Sequence, residues 1–392
     1  MGGHRQKWLF VAVTLVFVLA LLELLAFFGG RFLETKGVFY RPQAIDGYAQ
    51  YLDSRDPVLG WPSPFGPPVA AKGAGLKGRD ASGSRIIPAF PDPDKHPALI
   101  SLYGNSFTFS DEVSAEHAWS NALSKMLGRR VANYGVGGYG SDQALLRYRE
   151  NRDDTAEVIL LNHFSENILR NVNQYRALLY PSVEGLGWKP RFILGAQGEL
   201  ILVPLPTYSP EEIAAVVANP GDYLTNETFV PGDSSGFREL SFPFTLSLLA
   251  SLSHFQMRAR LAGLPFYSEF YDPEHPSQAV PVTVAIFREF EAEARRRGQV
   301  PVSTVIPSGM SLVSYRDTGS WSYQPLLDQL KARNIDVLDF GPEIIERVGP
   351  EGIEALFGDI GGHFNESGYR LLAEITRDHL LERGVLEEPP QD

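Results

Sequence analysis

Read for apolar and polar positions, the chain begins with one long apolar run, passes through an irregular stretch, and then alternates short apolar runs with amphipathic segments. The first run, Trp8 to Phe28, is apolar apart from Thr14 and Glu23. As a helix it would span roughly 30 Å, about one hydrocarbon core. Arg5 and Lys7 precede it and favour a cytoplasmic N-terminus, although Arg31 and Lys36 follow it. A cleaved signal peptide has a shorter apolar region and small residues before the cut. The exit here reads Leu25-Ala26-Phe27-Phe28-Gly29-Gly30, a poor cleavage site, so residues 1–30 are expected to be a cytoplasmic tip and an uncleaved transmembrane anchor. Glu23, near the outer end, is costly in lipid unless it snorkels or pairs with another helix.

Residues 31–96 are rich in Pro, Gly and Asp and read as an extended lead-in packed on the main domain. From about Pro97 the pattern is regular. Strands are expected at Ala98–Tyr103, Val131–Tyr134 and Glu157–Leu161, with helices at Ala118–Leu127 and Asp142–Glu150 between them. The alternation resumes with a helix at Val282–Arg297, a strand at Val300–Ile306, a helix at Tyr323–Arg333, a strand at Asp336–Phe340 and a last helix at Gly368–Leu381. Strands alternating with helices imply an α/β domain with a parallel sheet covered on both faces, here over residues 97–385 with a tail at 386–392. The block at about 170–280 breaks the alternation. Arg191–Leu194 and Glu199–Pro204 flank Gly195-Ala196-Gln197-Gly198, a hairpin pattern, and Phe242–Met257 reads as one amphipathic helix. This block is expected to be an insertion over the C-terminal face of the sheet. Its aromatic residues Tyr175, Tyr180, Trp188, Phe192 and Tyr208 suit a small satellite core better than a cleft lining.

The net charge of −12 comes with no long Lys/Arg cluster, which argues against a nucleic-acid partner. Arg295-Arg296-Arg297 ends a predicted helix, where cations complement the dipole. There is no cysteine, which excludes disulfides, thiol catalysis and thiolate metal sites. The histidines show no paired spacing, so neither a metal nor another cofactor is expected.

Four stretches carry candidate chemistry, each at the C-terminal end of an expected strand or before the last helix. Gly104-Asn105-Ser106-Phe107-Thr108-Phe109 follows the first strand; a serine at such a turn stands at the sheet edge where open α/β sheets place their sites. In isolation a serine there is more often a helix cap. Asn133-Tyr134-Gly135-Val136-Gly137-Gly138-Tyr139-Gly140 follows the second strand and would let a backbone N–H approach a ligand. Asn162-His163-Phe164-Ser165-Glu166-Asn167 follows the third and offers a side-chain amide. Asp359-Ile360-Gly361-Gly362-His363-Phe364-Asn365 places a histidine in a glycine-rich loop with an aspartate nearby to fix its tautomer.

In that order Ser106, Gly138, Asn167 and His363 resemble the Ser-Gly-Asn-His blocks of the SGNH/GDSL hydrolase superfamily, in particular a bacterial membrane-anchored subgroup. The resemblance covers roughly 97–168 and 282–382. It implies a flavodoxin-like three-layer sandwich, with Ser106 as nucleophile and His363 as base. It also implies Asp359 as the orienting acid and an oxyanion hole of the Ser106 and Gly138 N–H groups with the Asn167 amide. Three positions depart from the family pattern. Asn105 stands where Asp is usual. The third block ends Ser165-Glu166-Asn167, so Asn162 or Glu166 competes with Asn167 for its position. Asp359 lies four residues before His363 rather than two or three.

Three functions are compatible with these residues: hydrolysis of O-acyl, chiefly O-acetyl, esters of carbohydrate or lipid at the cell envelope; acyl transfer to an envelope glycan by the same serine and histidine; or glycan binding by an inactive domain. The anchor implies a single-pass membrane protein with its catalytic domain outside the cytoplasm.

Overall fold

The computed structural model describes residues 2–61, 63, 78–182 and 186–387. In chain order, helices α1 (Gly2–Thr35) and α2 (Tyr48–Ser54) precede strand β1 (Ile100–Tyr103). Then come α3 (Ser106–Phe109), α4 (Trp119–Leu127), β2 (Val131–Asn133), α5 (Ser141–Glu150) and β3 (Val158–Phe164). The inserted block holds α6 (Asn167–Arg170), α7 (Arg176–Leu179), β4 (Arg191–Leu194), β5 (Leu200–Val203), α8 (Ile213–Ala218), α9 (Phe244–Ser251) and α10 (Phe255–Leu261). The chain closes with α11 (Ala279–Arg296), β6 (Val300–Ile306), α12 (Gly309–Thr318), α13 (Gln324–Lys331), β7 (Val337–Asp339), α14 (Phe340–Val348) and α15 (Glu366–Glu382).

The central sheet has the order β2-β1-β3-β6-β7, with every pairing parallel. Ile100 pairs with both Val131 and Val158, and Val158 with Val300, so the strands start nearly level. β1 and β3 are buried at every position. That follows from cover on both faces: α4, α14 and α15 pack on one side, α5 and α11 on the other. Each fully buried Leu, Ile or Val contributes about 1.5–3 kcal/mol. This is the flavodoxin-like order, and it is the fold class expected from the sequence. The connections leave β1 in opposite directions toward β2 and β3, and open sheets bind ligands at that switch point.

Among the described residues of the lead-in, Arg85 packs into this domain. Arg85 is fully buried and its guanidinium bonds the carbonyls of Phe109, Ser110 (2.7 Å) and Val113 (2.8 Å), so it clamps the loop after β1. The hairpin expected in the insertion is the antiparallel pair β4–β5, with Arg191 opposite Val203. Tyr175, Trp188 and Phe192 are buried and join the main core, with Tyr175 stacked on Trp188 at 4.6 Å.

Three expectations are corrected. The helix expected over Phe242–Met257 is two helices, α9 and α10, separated at Leu252–His254, where His254 caps the second by accepting from Gln256 N. β3 runs three residues further than expected, so Asn162 and His163 lie inside the strand. The strand expected over Asp336–Phe340 ends at Asp339, and Phe340 opens α14, whose first turn contains Gly341 and Pro342. Both fit the first turn of α14: proline is tolerated there, and Asp339 accepts from Gly341 N at 3.0 Å.

α1 is the single helix among the described residues that is long and apolar enough to cross a membrane. Its Glu23 meets the N-terminus of α9, accepting from Phe244 N at 2.6 Å, from Thr245 N at 3.4 Å and from the Thr245 hydroxyl. The acid thus satisfies two backbone N–H groups that would otherwise be orphaned at the start of a helix.

Candidate active site

Ser106 opens α3 immediately after β1, at the C-terminal edge of the sheet. Asn105 caps that short helix in an extended conformation, its Oδ1 accepting from Phe107 N at 2.9 Å. Gly104 is required by space: a Cβ there would sit 2.1 Å from Thr108 Oγ1. Phe107 then wedges the turn in place. Its ring stacks on Phe164, at the end of β3, at 3.8 Å and lies 4.7 Å from the ring of His363. The residue after the serine therefore touches both the next strand and the histidine loop.

That loop is built by Asp359 and Asn365. Asp359 Oδ1 accepts from Gly361 N (2.8 Å) and its carbonyl accepts from Gly362 N (2.8 Å). Asn365 caps α15, accepting from Ser367 N and Gly368 N at 3.0 and 3.1 Å. The carboxylate against His363 is not Asp359. It is Glu112, whose Oε1 lies 3.0 Å from His363 Nδ1. Asp359 is committed to the turn that carries the histidine, which is the physical reason its carboxylate does not bond His363. Glu112 adopts φ +70°, a left-handed conformation disfavoured for a residue with a Cβ. Such strain collects at functional sites. With Nδ1–H donating to Glu112, Nε2 is the nitrogen left to accept a proton.

Gly138 has φ +81° and lines the same cleft as Ser106 and His363. The glycine loop is tied to the serine helix by Asn133, whose amide donates to Thr108 O (2.7 Å) and whose Oδ1 accepts from Gly135 N (3.0 Å). The cleft, about 330 Å³, is also lined by Asp111, Glu166, Arg170, Arg176, Tyr267 and Met310. Phe266 and Tyr267, from the inserted block, also line the cleft.

The third block is arranged differently from expectation. Asn167 is fully buried behind the serine turn, its Oδ1 accepting from Asn105 Nδ2 at 3.0 Å. Its own amide lies 3.5 Å from Ser141 Oγ, so it braces Asn105. Asn162 is buried in mid-strand, accepting from Thr304 Oγ1 at 2.7 Å. Of the three candidates, Glu166 is the one lining the cleft. It pairs with Arg170 (2.6 Å) and accepts from the Tyr180 hydroxyl. Burial raises its carboxyl, but Arg170 beside it prevails and holds it below the usual range.

Arg176 lies next to Gly138, donating Nη1–H to its carbonyl at 3.3 Å, and stacks over Trp61 and Tyr180. Burial lowers its guanidinium from the ordinary value, and Arg170 nearby adds to this. Its Nε is buried without a partner among the described residues. Two guanidinium groups, of Arg170 and Arg176, thus line the cleft, while the Asn167 amide does not. His163 is a core residue. Its Nδ1 lies 2.8 Å from Ser141 Oγ and its Nε2 3.1 Å from the Tyr271 hydroxyl, and burial pushes its imidazole down to about 3, which keeps it neutral.

The sequence reading missed Glu112, Arg170 and Arg176. A weak signal existed for the first: an acid six residues after the serine, on the loop that must face the last block.

The fold and the cleft define an α/β protein with a serine and a glutamate-paired histidine at the switch point of its sheet. No protein-family model and no curated protein sequence matches the chain. Solved structures similar to it include a member of the lipolytic protein G-D-S-L family from Veillonella parvula, at 15% identity and a TM-score of 0.32, covering 71% of this chain and 96% of that one. An acetyl xylan esterase from the rumen bacterium Butyrivibrio proteoclasticus is similar at 13% identity and a TM-score of 0.31, over 74% of this chain and 65% of the other. A two-domain esterase active on acetylated mannans gives 10% identity and a TM-score of 0.30, over 75% and 52%.

Proposed function

We propose that the chain is a serine esterase acting on O-acyl esters of carbohydrate or lipid, held at the membrane by α1 with its cleft on the far side from the cytoplasm. The observation that carries this reading is that Ser106 and His363, from segments far apart in sequence, line one cleft, with Glu112 against the histidine. Ser106 Oγ attacks the ester carbonyl as His363 Nε2 takes its proton. The C–O bond to the alcohol then breaks, and His363 returns the proton to the leaving oxygen. Water attacks the acyl-serine with His363 again as base, giving the carboxylic acid and free serine. The N–H groups of Ser106 and Gly138 would receive the oxyanion. Arg176, beside Gly138, supplies positive charge in place of the expected Asn167 amide. An acceptor alcohol in place of water would make the same machinery an acyltransferase. Positive charge before the anchor, and an apolar run that the domain leaves mostly exposed, support the membrane placement.

The test is release of p-nitrophenol from its acetate and butyrate by the detergent-solubilised full chain. Turnover that vanishes in Ser106→Ala supports the reading. Equal turnover in both proteins refutes it.

A further inference from the structure

Beside the anchor, α9 is an unusual element for the surface of a water-soluble domain. From Leu240 to Ser253 there is no ionisable residue. Leu246, Leu249 and Leu252 recur every three residues along one face of the helix and its C-cap, Phe242 lies just before the helix, and all four are exposed, Phe242 at 72% and Leu249 at 63%. An exposed apolar stripe of this kind marks a contact surface. Its position relative to the anchor is fixed. Glu23 caps α9, and Phe27 of α1 packs on Phe244 at 5.1 Å. Leu240 lies against Gly30 so closely that a Cβ there would be 2.6 Å from it. Phe244 is held between Glu23 and Phe27, which lie five residues and one residue before Phe28, the end of the apolar run. At 1.5 Å per residue that puts the start of α9 about 1.5 to 7.5 Å below the end of that run, at the membrane interface where such helices rest.

Cavities run from this helix to the cleft. One lies between Leu33 of the anchor and Leu248, Leu249 and Leu252 of α9 and just after it. It shares Val38, Ser251 and Met257 with a second cavity, and that one shares Phe266 and Met310 with the cleft of Ser106. Lys36 and Arg260 line the middle cavity, just beyond the anchor, where lipid headgroups would be.

We infer that α9 is a second membrane contact lying in the outer interface, and that the groove it forms with the anchor leads the acyl chain of a membrane lipid ester from the bilayer to Ser106. The membrane seat follows from the apolar stripe and its depth beside the anchor. The role of the groove rests on the esterase reading. A long acyl chain lies along Val38, Met257 and Met310 with its ester carbonyl at Ser106, so the bilayer, and not the aqueous phase, delivers the substrate.

The chain contains no cysteine, so a single introduced one can be labelled cleanly. Leu249→Cys, and Glu351→Cys as an exposed control, carry an environment-sensitive fluorophore in the full chain reconstituted into phosphatidylcholine vesicles. The label at 249 is expected to be quenched by lipids spin-labelled near the headgroup, and the label at 351 by aqueous iodide only. Iodide quenching at both positions overturns the membrane seat. In the same vesicles the ratio of decanoate to acetate ester turnover reads the groove. Met257→Trp narrows it, and blocking about two methylenes, at about fourfold each, lowers that ratio by roughly tenfold or more. An unchanged ratio, or a wild-type preference for acetate, refutes the groove. Failure of the wild-type protein on both esters refutes the esterase reading instead, and leaves the quenching result to decide the membrane seat.

Discussion

Replacing Glu112 by Gln removes the carboxylate from His363 while keeping its size. In a triad whose acid is buried, the corresponding change costs about ten-thousandfold, because the wrong tautomer is held. The geometry here gives a smaller number. The Glu112 side chain is 64% exposed, and its contact to Nδ1 is a single one of 3.0 Å. Exposed charge pairs are worth up to about 1 kcal/mol, which corresponds to about a fivefold loss in kcat/KM. Asp359→Asn is the internal control, because its oxygen can still accept from Gly361 N and the turn survives. The assay is p-nitrophenyl butyrate hydrolysis by the two variants beside the wild type. Glu112→Gln should fall about fivefold and Asp359→Asn by less than twofold. Glu112→Gly should lose similar activity at an unchanged or higher melting temperature, since glycine relieves the φ of +70°. A larger loss for Asp359→Asn than for Glu112→Gln would refute the assignment of the orienting acid.

Gly138→Ala places a Cβ on a backbone at φ +81° and costs about 1–2 kcal/mol of strain; relief of that strain moves the N–H at the cleft, so kcat should fall about tenfold to hundredfold with the protein still folded by circular dichroism. Arg85→Met leaves the buried carbonyls of Phe109, Ser110 and Val113 without their donor, and denaturant unfolding should show a loss of about 3 kcal/mol. Burial pushes the Asp339 carboxyl up to about 6. The folded state then binds more protons than the unfolded state between about pH 4 and 6, so this group's stabilisation is complete below that window and is lost as pH rises through it. Asp339→Asn should therefore raise stability at pH 8 by on the order of 2 kcal/mol and flatten this part of the pH profile, as read by thermal unfolding between pH 4 and 8.

The sheet was legible because strands buried on both faces read as apolar runs, as Val158–Leu161 does throughout and Ile100–Tyr103 does apart from Ser101. The end of β3 was not, because Asn162 and His163 are polar residues bonded inside the core to Thr304, Ser141 and Tyr271, and such partners are set by packing. Ser106, Gly138 and His363 were legible through the loops that carry them, each with local glycines or a cap. Glu112 was not, since 251 residues separate it from the histidine it meets. The arginines of the cleft sit in a block whose pattern matched no regular alternation, and only the fold brings Arg176 beside Gly138. Glu23 illustrates the same limit from the other side: its charge within an apolar run demanded a partner, but the N-terminus of α9 as that partner depends on a contact across 221 residues.

The central claim is that Ser106 is the nucleophile with His363 as its base, and covalent labelling tests it most directly. The folded full chain is treated with a fluorophosphonate and digested, and the modified peptide is identified by mass spectrometry. A single adduct on Ser106, slowed at least a hundredfold in His363→Ala, is the predicted result; an adduct on another serine, or an unaltered labelling rate in His363→Ala, would contradict the account.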